Sequence, residues 1–182
     1  MAIEHDTITD PYIHEPKDIS TANAGQIYVA DGLGSGSWKY FPHSAFYYDN
    51  IGTGTGFAVS GSYVLVNPAT TGDADPHDFT HNSAGRLTYT GTDDIDCNVT
   101  TSISFKHSTG AGIDCFFALY KNGVLIPGSR QVVEGNSANY ANITVTAHVE
   151  LSTNDYIEVY CMAASGTITV HAVSVQAAGV IV

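Results

Sequence analysis

Apolar and polar residues alternate with a period of two through the second half of the chain. Val99, Thr101, Ile103 and Phe105 fall on one side of a run whose other side is Asn98, Thr100, Ser102, Ser104 and Lys106. Such a period marks a strand with one face in a core and one in water. Ile143, Val145, Ala147 and Val149 repeat it against Thr144, Thr146, His148 and Glu150. Asn122-Gly123 stands between the apolar runs 113–120 and 124–126, and both residue types accept the positive φ that a two-residue hairpin needs. Pro127-Gly128 ends the return strand. Asn154-Asp155 turns the chain into a strand over 156–162, and Gly166 opens a last one over 167–175. No segment has the i, i+3, i+4 spacing of an amphipathic helix. Many short strands at this spacing predict an all-β, antiparallel sandwich or jelly roll.

Two strands break the inside-outside rule. In 113–120, Ile113, Cys115, Phe117 and Leu119 share one face, while Phe116, Ala118 and Tyr120 make the other apolar too. In 156–162, Ile157, Val159 and Cys161 lie opposite Tyr156, Tyr160 and Met162. A sandwich strand has one inner face, so the second apolar face requires a cover. One explanation serves both strands: Phe116, Tyr120, Tyr156, Tyr160 and Met162 line a subunit interface. The alternative is cover from loops or from the N-terminal region of the same chain. Assembly through these side chains would bury on the order of several hundred Å² per protomer, on the order of 10 kcal/mol gross at about 25 cal/mol per Å², before the costs of association.

The first half is more broken. Residues 1–44 carry Pro11, Pro16 and Pro42, and Gly32-Leu33-Gly34-Ser35-Gly36-Ser37 is a flexible or tight-turning segment between short apolar runs at 26–30 and 38–41. A hairpin is one reading and an extended arm that orders on a partner is the other. The arm is favoured, because this piece has few core residues of its own. The single Trp, Trp38, lies here, and Trp is enriched at interfaces. Residues 45–96 read as loops with short strands: a strand from Phe57 to Val66, a polar surface loop from Thr71 to His81, and a short strand from Arg86 to Tyr89. The organisation expected is an arm over 1–44 and a sandwich over 45–182.

Charge narrows the partners. The 182-residue chain has 18 acids against 6 bases, a formal net charge of -12. The basic footprint of a nucleic-acid binder is missing, and anionic membranes are disfavoured as partners. The part from residue 97 onward has five acids and three bases and holds the densest apolar runs, as buried surface requires. The N-terminal Met1-Ala2-Ile3-Glu4-His5-Asp6 resembles no secretory leader. Cys97, Cys115 and Cys161 each sit in an apolar strand, which predicts three buried, reduced thiols.

Catalytic motifs are missing from the sequence: there is no Gly-x-Ser-x-Gly elbow, dinucleotide fingerprint or phosphate loop. Gly52-Thr53-Gly54-Thr55-Gly56 lacks the Lys and helix of a phosphate site and reads as a turn. Asp73, Asp75, His77, Asp78 and His81 are the best candidate metal ligands, but their spacing matches no calcium hand, and a solvated loop is expected. Asp93, Asp94 and Asp96 read the same way. His148 and His171 lie in strands and are expected at a surface or interface. No metal, cofactor or catalytic residue is assigned.

Phe117-Ala118-Leu119-Tyr120-Lys121-Asn122-Gly123, Ile126-Pro127-Gly128-Ser129-Arg130, and Val149 through Val159 with its Leu-Ser-Thr-Asn-Asp-Tyr turn resemble the jelly-roll domains of the complement-subcomponent and tumour-necrosis-factor family. The resemblance implies a tight trimer. The stretch from Ile13-His14-Glu15-Pro16-Lys17 to Ala30-Asp31-Gly32-Leu33-Gly34-Ser35-Gly36-Ser37-Trp38 looks like a segment near the start of phage structural proteins, head decoration proteins and fibres among them. Together these imply a non-enzymatic virion protein, made in the host cytoplasm. It would decorate and cement the exterior of a bacteriophage capsid as a homotrimer. Its partners would be itself and the major capsid protein, with neither nucleic acid nor membrane. Tyr12, Ile13, His14, Pro16, Tyr28 and Trp38 would anchor the arm. A tail fibre, spike or baseplate protein that binds a receptor or glycan is the alternative, with Phe79 the one aromatic in its candidate contact loop.

Overall fold

A computed structural model describes residues 21–30 and 36–182. Among them there is no α-helix. The strands are β1 (Gln26–Ala30), β2 (Gly36–Tyr40), β3 (His43–Asp49), β4 (Thr55–Ala58), β5 (Val64–Leu65), β6 (Thr71–Gly72), β7 (Phe79–Asn82), β8 (Arg86–Tyr89), β9 (Ile95–His107), β10 (Ile113–Lys121), β11 (Val124–Leu125), β12 (Gln131–Gly135), β13 (Ala141–Leu151), β14 (Tyr156–Met162) and β15 (Thr167–Ile181). The chain divides into two compact units, Met1–Phe41 and Pro42–Val182.

In the first unit β1 and β2 form an antiparallel hairpin, with Tyr28 directly opposite Trp38. Their rings meet edge to face at 5.3 Å. Gln26–Ala30 and Gly36–Tyr40 are therefore paired strands. A cross-strand aromatic pair can stabilise a hairpin that has little core of its own. Tyr12, Ile13, His14 and Pro16 lie outside the described residues.

The second unit is a sandwich of two antiparallel sheets. One runs β13-β9-β15-β3-β6, with β4 also on β15; the other runs β11-β10-β14-β8-β7, with β12 also on β10 and β5 also on β14. The chain changes sheets at β4 to β5, β5 to β6, β6 to β7, β8 to β9, β9 to β10, β12 to β13, β13 to β14 and β14 to β15. This is the doubly Greek-keyed path of a jelly roll. The core between the sheets holds Phe46, Leu87, Val99, Phe105, Phe117, Leu119, Val145, Leu151, Ile157 and Val175. Phe105 and Phe117 meet across it at 4.8 Å. All three thiols are free and buried. Burial pushes Cys97 and Cys115 up to about 11 and Cys161 up to about 12, so none is reactive at neutral pH.

The alternation in β9 and β13 places residues as expected: Val99, Thr101, Ile103 and Phe105 are buried, Asn98, Thr100 and Ser102 are exposed, and Ser104 is half-buried. Several boundaries differ. The sandwich begins at β3, with Ser44 and Phe46 buried, just ahead of the expected boundary at 45. The strand expected over Phe57–Val66 is broken at Gly61, whose φ is +82°, so β4 joins one sheet and β5 the other. β12 was not anticipated, and β15 runs past Val175 to Ile181. His171 is buried, not at the surface, beside the bulge between Val170 and Ala172. Its Nδ1 lies 3.1 Å from the Ile51 carbonyl oxygen, and its ring meets Tyr140 edge-on at 4.9 Å. His148 is exposed.

The Asn122-Gly123 turn has φ of 52° and 76° and closes β10 onto β11 with Lys121 opposite Val124. Asp155 ties it to the turn before β14. Its Oδ1 accepts from the Asn122 amide at 2.6 Å, and its Oδ2 accepts from the Ser152 N–H at 2.9 Å and meets the Lys121 ammonium at 2.7 Å. Burial pulls the Asp155 carboxyl upward, but Lys121, Ser152 and Asn122 outweigh it and hold the pKa below the ordinary 3.8. A depressed folded-state pKa stabilises the fold fully above 3.8 and progressively less as pH falls through the folded value. Asp155→Asn should therefore cost about 1 kcal/mol at neutral pH. The deficit should shrink on acidification below 3.8, as urea titrations of both proteins would show.

Candidate assembly face

The outer surface of the β10–β14 sheet gathers every residue expected at the interface. The register sets Phe116 opposite Met162, Ala118 opposite Tyr160 and Tyr120 opposite Glu158. Tyr156 pairs with Thr88 on β8, Tyr160 with Leu65 on β5, and Phe116 with Val132 on β12. Phe116, Tyr120, Tyr156, Tyr160 and Met162 are all half-buried, whereas Val132 is 53% exposed. Val99-like alternation would have made this surface polar. Here it is an aromatic layer laid over a second apolar layer.

Part of the cover comes from the chain itself. The Tyr120 and Tyr160 rings stack at 4.0 Å, and Tyr63 from the loop before β5 sits 5.7 Å from Tyr120. The Arg86 guanidinium lies 3.8 Å over the Tyr156 ring. Beneath these rings Glu158 is only 3% exposed. Its Oε1 accepts from Arg86 Nε at 2.9 Å and Nη2 at 2.8 Å, and its Oε2 accepts from the Tyr160 hydroxyl at 3.3 Å. A buried carboxylate is tolerable only with such partners. Tyr63, Arg86 and Glu158 belong to this face and were not anticipated. Arg86 and Glu158 are far apart in sequence, and only the β8–β14 pairing unites them.

The phenols respond to this setting. Burial first, then Tyr63, pushes the Tyr120 pKa up; burial first, then the Glu158 carboxylate, pushes Tyr160 up. Both stay neutral over the physiological range. Burial also raises Tyr63 against the opposing Arg130 guanidinium, and its hydroxyl is buried without a hydrogen bond of good geometry. The hydrogen bond to Glu158 raises Arg86 above its ordinary value. The face thus presents rings and one satisfied ion pair, with no reactive group.

The opposite sheet has a different outer surface. Asn98, Thr100 and Ser102 on β9 and Asn142, Thr144 and Thr146 on β13 are exposed, and Ser104 is half-buried. A groove of about 550 Å³ crosses it, lined by Tyr47, Ser102, Ser104, Asn142, Thr144 and Ser174. Tyr47 is 53% exposed there.

The acidic loop has no convergent ligand set. Asp73 Oδ1 accepts from the Asp75 N–H at 3.2 Å, the His77 ring packs on His43 at 4.9 Å, and His81 Nε2 lies 2.7 Å from Thr70 Oγ1. Burial lowers the His81 pKa. Among the described residues no three His, Cys, Asp or Glu side chains converge as a metal site. Phe79 is 3% exposed and packs on Tyr89 at 5.2 Å. It is a core residue, and the loop offers no aromatic contact.

The sequence matches no protein-family model and no curated protein. Solved structures do resemble it. PRD1 vertex protein P5 superposes with a TM-score of 0.50 at 12% identity, over 76% of this chain and 96% of that one. An Eiger TNF from S. frugiperda gives 0.48 at 14% identity, over 75% and 91%, and murine APRIL at pH 5.0 gives 0.43 at 10%, over 74% and 98%. At such identities the likeness concerns the fold. The strand order and the superposition on P5 agree on an all-β, antiparallel jelly roll.

Proposed function

We propose that the chain is a structural protein of a virus particle, a capsid decoration or cement protein that acts as a homotrimer. The observation that carries this reading is the aromatic outer layer of the β10–β14 sheet. Phe116, Met162 and Val132 form a contiguous apolar patch beside the Tyr120–Tyr160 stack, and none of these side chains carries charge. Three copies meeting through this patch would remove it from water, which the hydrophobic effect favours. The likeness to a phage vertex protein, of fold alone, is consistent with a particle component. Residues 1–44 would reach capsid subunits, with the Tyr28–Trp38 pair of the hairpin as one anchoring element. Three such anchors on one trimer would act together through avidity.

A second reading is a fibre or spike protein that binds glycan. It draws on the groove of the opposite sheet, where the exposed Tyr47 ring stands beside Ser, Thr and Asn side chains suited to a sugar. On that reading a glycan array binds the chain and Tyr47→Ala abolishes the signal. On the decoration reading neither happens.

Two outcomes are expected of the decoration role. Phe116→Asp should convert the trimer to a monomer in size-exclusion with light scattering, while keeping a cooperative melt. Removal of residues 1–40 should leave a folded trimer that no longer saturates capsids, as binding to purified particles and electron microscopy of them would show. A truncated protein that still coats capsids would refute the anchoring role.

A further inference from the structure

Among the described residues the outer edge of β13 pairs with no strand. Val182 N–H donates to the Asp94 carbonyl, so even-numbered residues of β9 face β15 and odd-numbered ones face β13. With Ile143 opposite Ile103, the odd-numbered residues of β13 bond to β9. The N–H and C=O groups of Asn142, Thr144, Thr146, His148 and Glu150 therefore point away from the sheet. The Glu150 carbonyl accepts from the Lys121 ammonium at 2.7 Å. Among the described residues no strand lies along this edge. The register runs unbroken from Ala141 opposite Phe105 to Leu151 opposite Ile95. The strand Ala-Asn-Ile-Thr-Val-Thr-Ala-His-Val-Glu-Leu has no Pro, Lys, Arg or bulge, the usual devices that blunt an exposed edge.

We propose that a second copy of the chain adds its own β13 to this edge, antiparallel, about a two-fold axis through Thr146. Every pair in that register is compatible. On the outer face Thr146 meets itself, Thr144 meets His148 of the second copy, and Asn142 meets Glu150 of the second copy. The Ser104 hydroxyl donates to Asn142 Oδ1, which leaves the Asn142 amide N–H groups for that carboxylate. The two Glu150 side chains lie at opposite ends of the contact, so the acidic chains do not repel each other there. On the inner face Ile143 of the second copy lands opposite Val149. Both Ile143 and Val149 are only half-buried in a single chain. An apolar pocket of about 350 Å³ opens at this point, walled by Val124, Leu125, Ile126, Pro127 and Val149. The incoming Ile143 arrives at its mouth. The contact adds roughly eight backbone hydrogen bonds, with each Glu150 carbonyl kept by Lys121, and it is isologous, so it closes as a dimer. It is separate from the β10–β14 face and does not rest on it; where both operate, the edge joins one trimer to the next.

Sedimentation velocity and hydrogen exchange of the full chain test this. Thr146 is exposed and its N–H points outward. Thr146→Lys, which sets like charges opposite each other, and Thr146→Pro, which removes only that outward donor, therefore spare the ladder within the chain. Both should abolish a concentration-dependent association step with the melting temperature unchanged, and Phe116→Asp should retain that step. In the wild type the amides of Thr144, Thr146 and His148 should exchange at least about tenfold faster on dilution, while those of Ile143, Val145 and Ala147 stay protected. Should Thr146→Pro unfold, Thr146→Lys decides. Undiminished association of Thr146→Lys would overturn the proposal. So would even-numbered amides that exchange as open amides at every concentration.

Discussion

The bond between Arg86 and Glu158 organises one whole side of the molecule. A carboxylate under a layer of rings is costly unless it is paired and hydrogen-bonded. Glu158 is 3% exposed and has the Arg86 guanidinium on Oε1 and the Tyr160 hydroxyl on Oε2. To supply that guanidinium, β8 must lie beside β14 with Tyr156 opposite Thr88. The same guanidinium then covers the Tyr156 ring, and Tyr160, turned to reach Glu158, stacks on Tyr120. Strand pairing, register and ring orientation on this face all agree with the neutralisation of one buried charge.

The parts of the fold with strong local signals were legible in the sequence. Period-two alternation placed β9 and β13, and Asn122-Gly123 placed the β10–β11 hairpin, because positive φ at both positions is a local demand. The doubled apolar faces of β10 and β14 identified the aromatic layer, since six or seven residues of pattern suffice to show them. What failed was non-local. β3 hides behind Pro42 and has few buried side chains, so its sequence resembles a loop until β15 pairs with it. Gly61 splits an apolar run between two sheets, which only the sandwich as a whole decides. Phe79 reads as a loop aromatic because its partner Tyr89 lies across the β7–β8 hairpin. Tyr63 and Arg86 were invisible as parts of the face for the same reason.

Charge gives the proposed assembly surfaces their character. A chain of formal net charge -12 repels its copies at long range. Contacts between copies therefore belong where charge is sparse or internally neutralised. The aromatic face meets this condition through the Arg86–Glu158 pair, and β13 meets it with Thr, Ile, Val and Ala over most of its length. Salt should screen the repulsion and leave the apolar contacts intact, the reverse of what it does to a nucleic-acid complex.

Sedimentation equilibrium of the intact chain at low micromolar concentration tests the central claim most directly, that the half-buried ring layer over β10 and β14 is completed by other copies. The account predicts a mass of three chains, or a multiple of three where trimers join. A single-chain mass that persists across the concentration range would contradict it, since the layer would then be finished within one molecule.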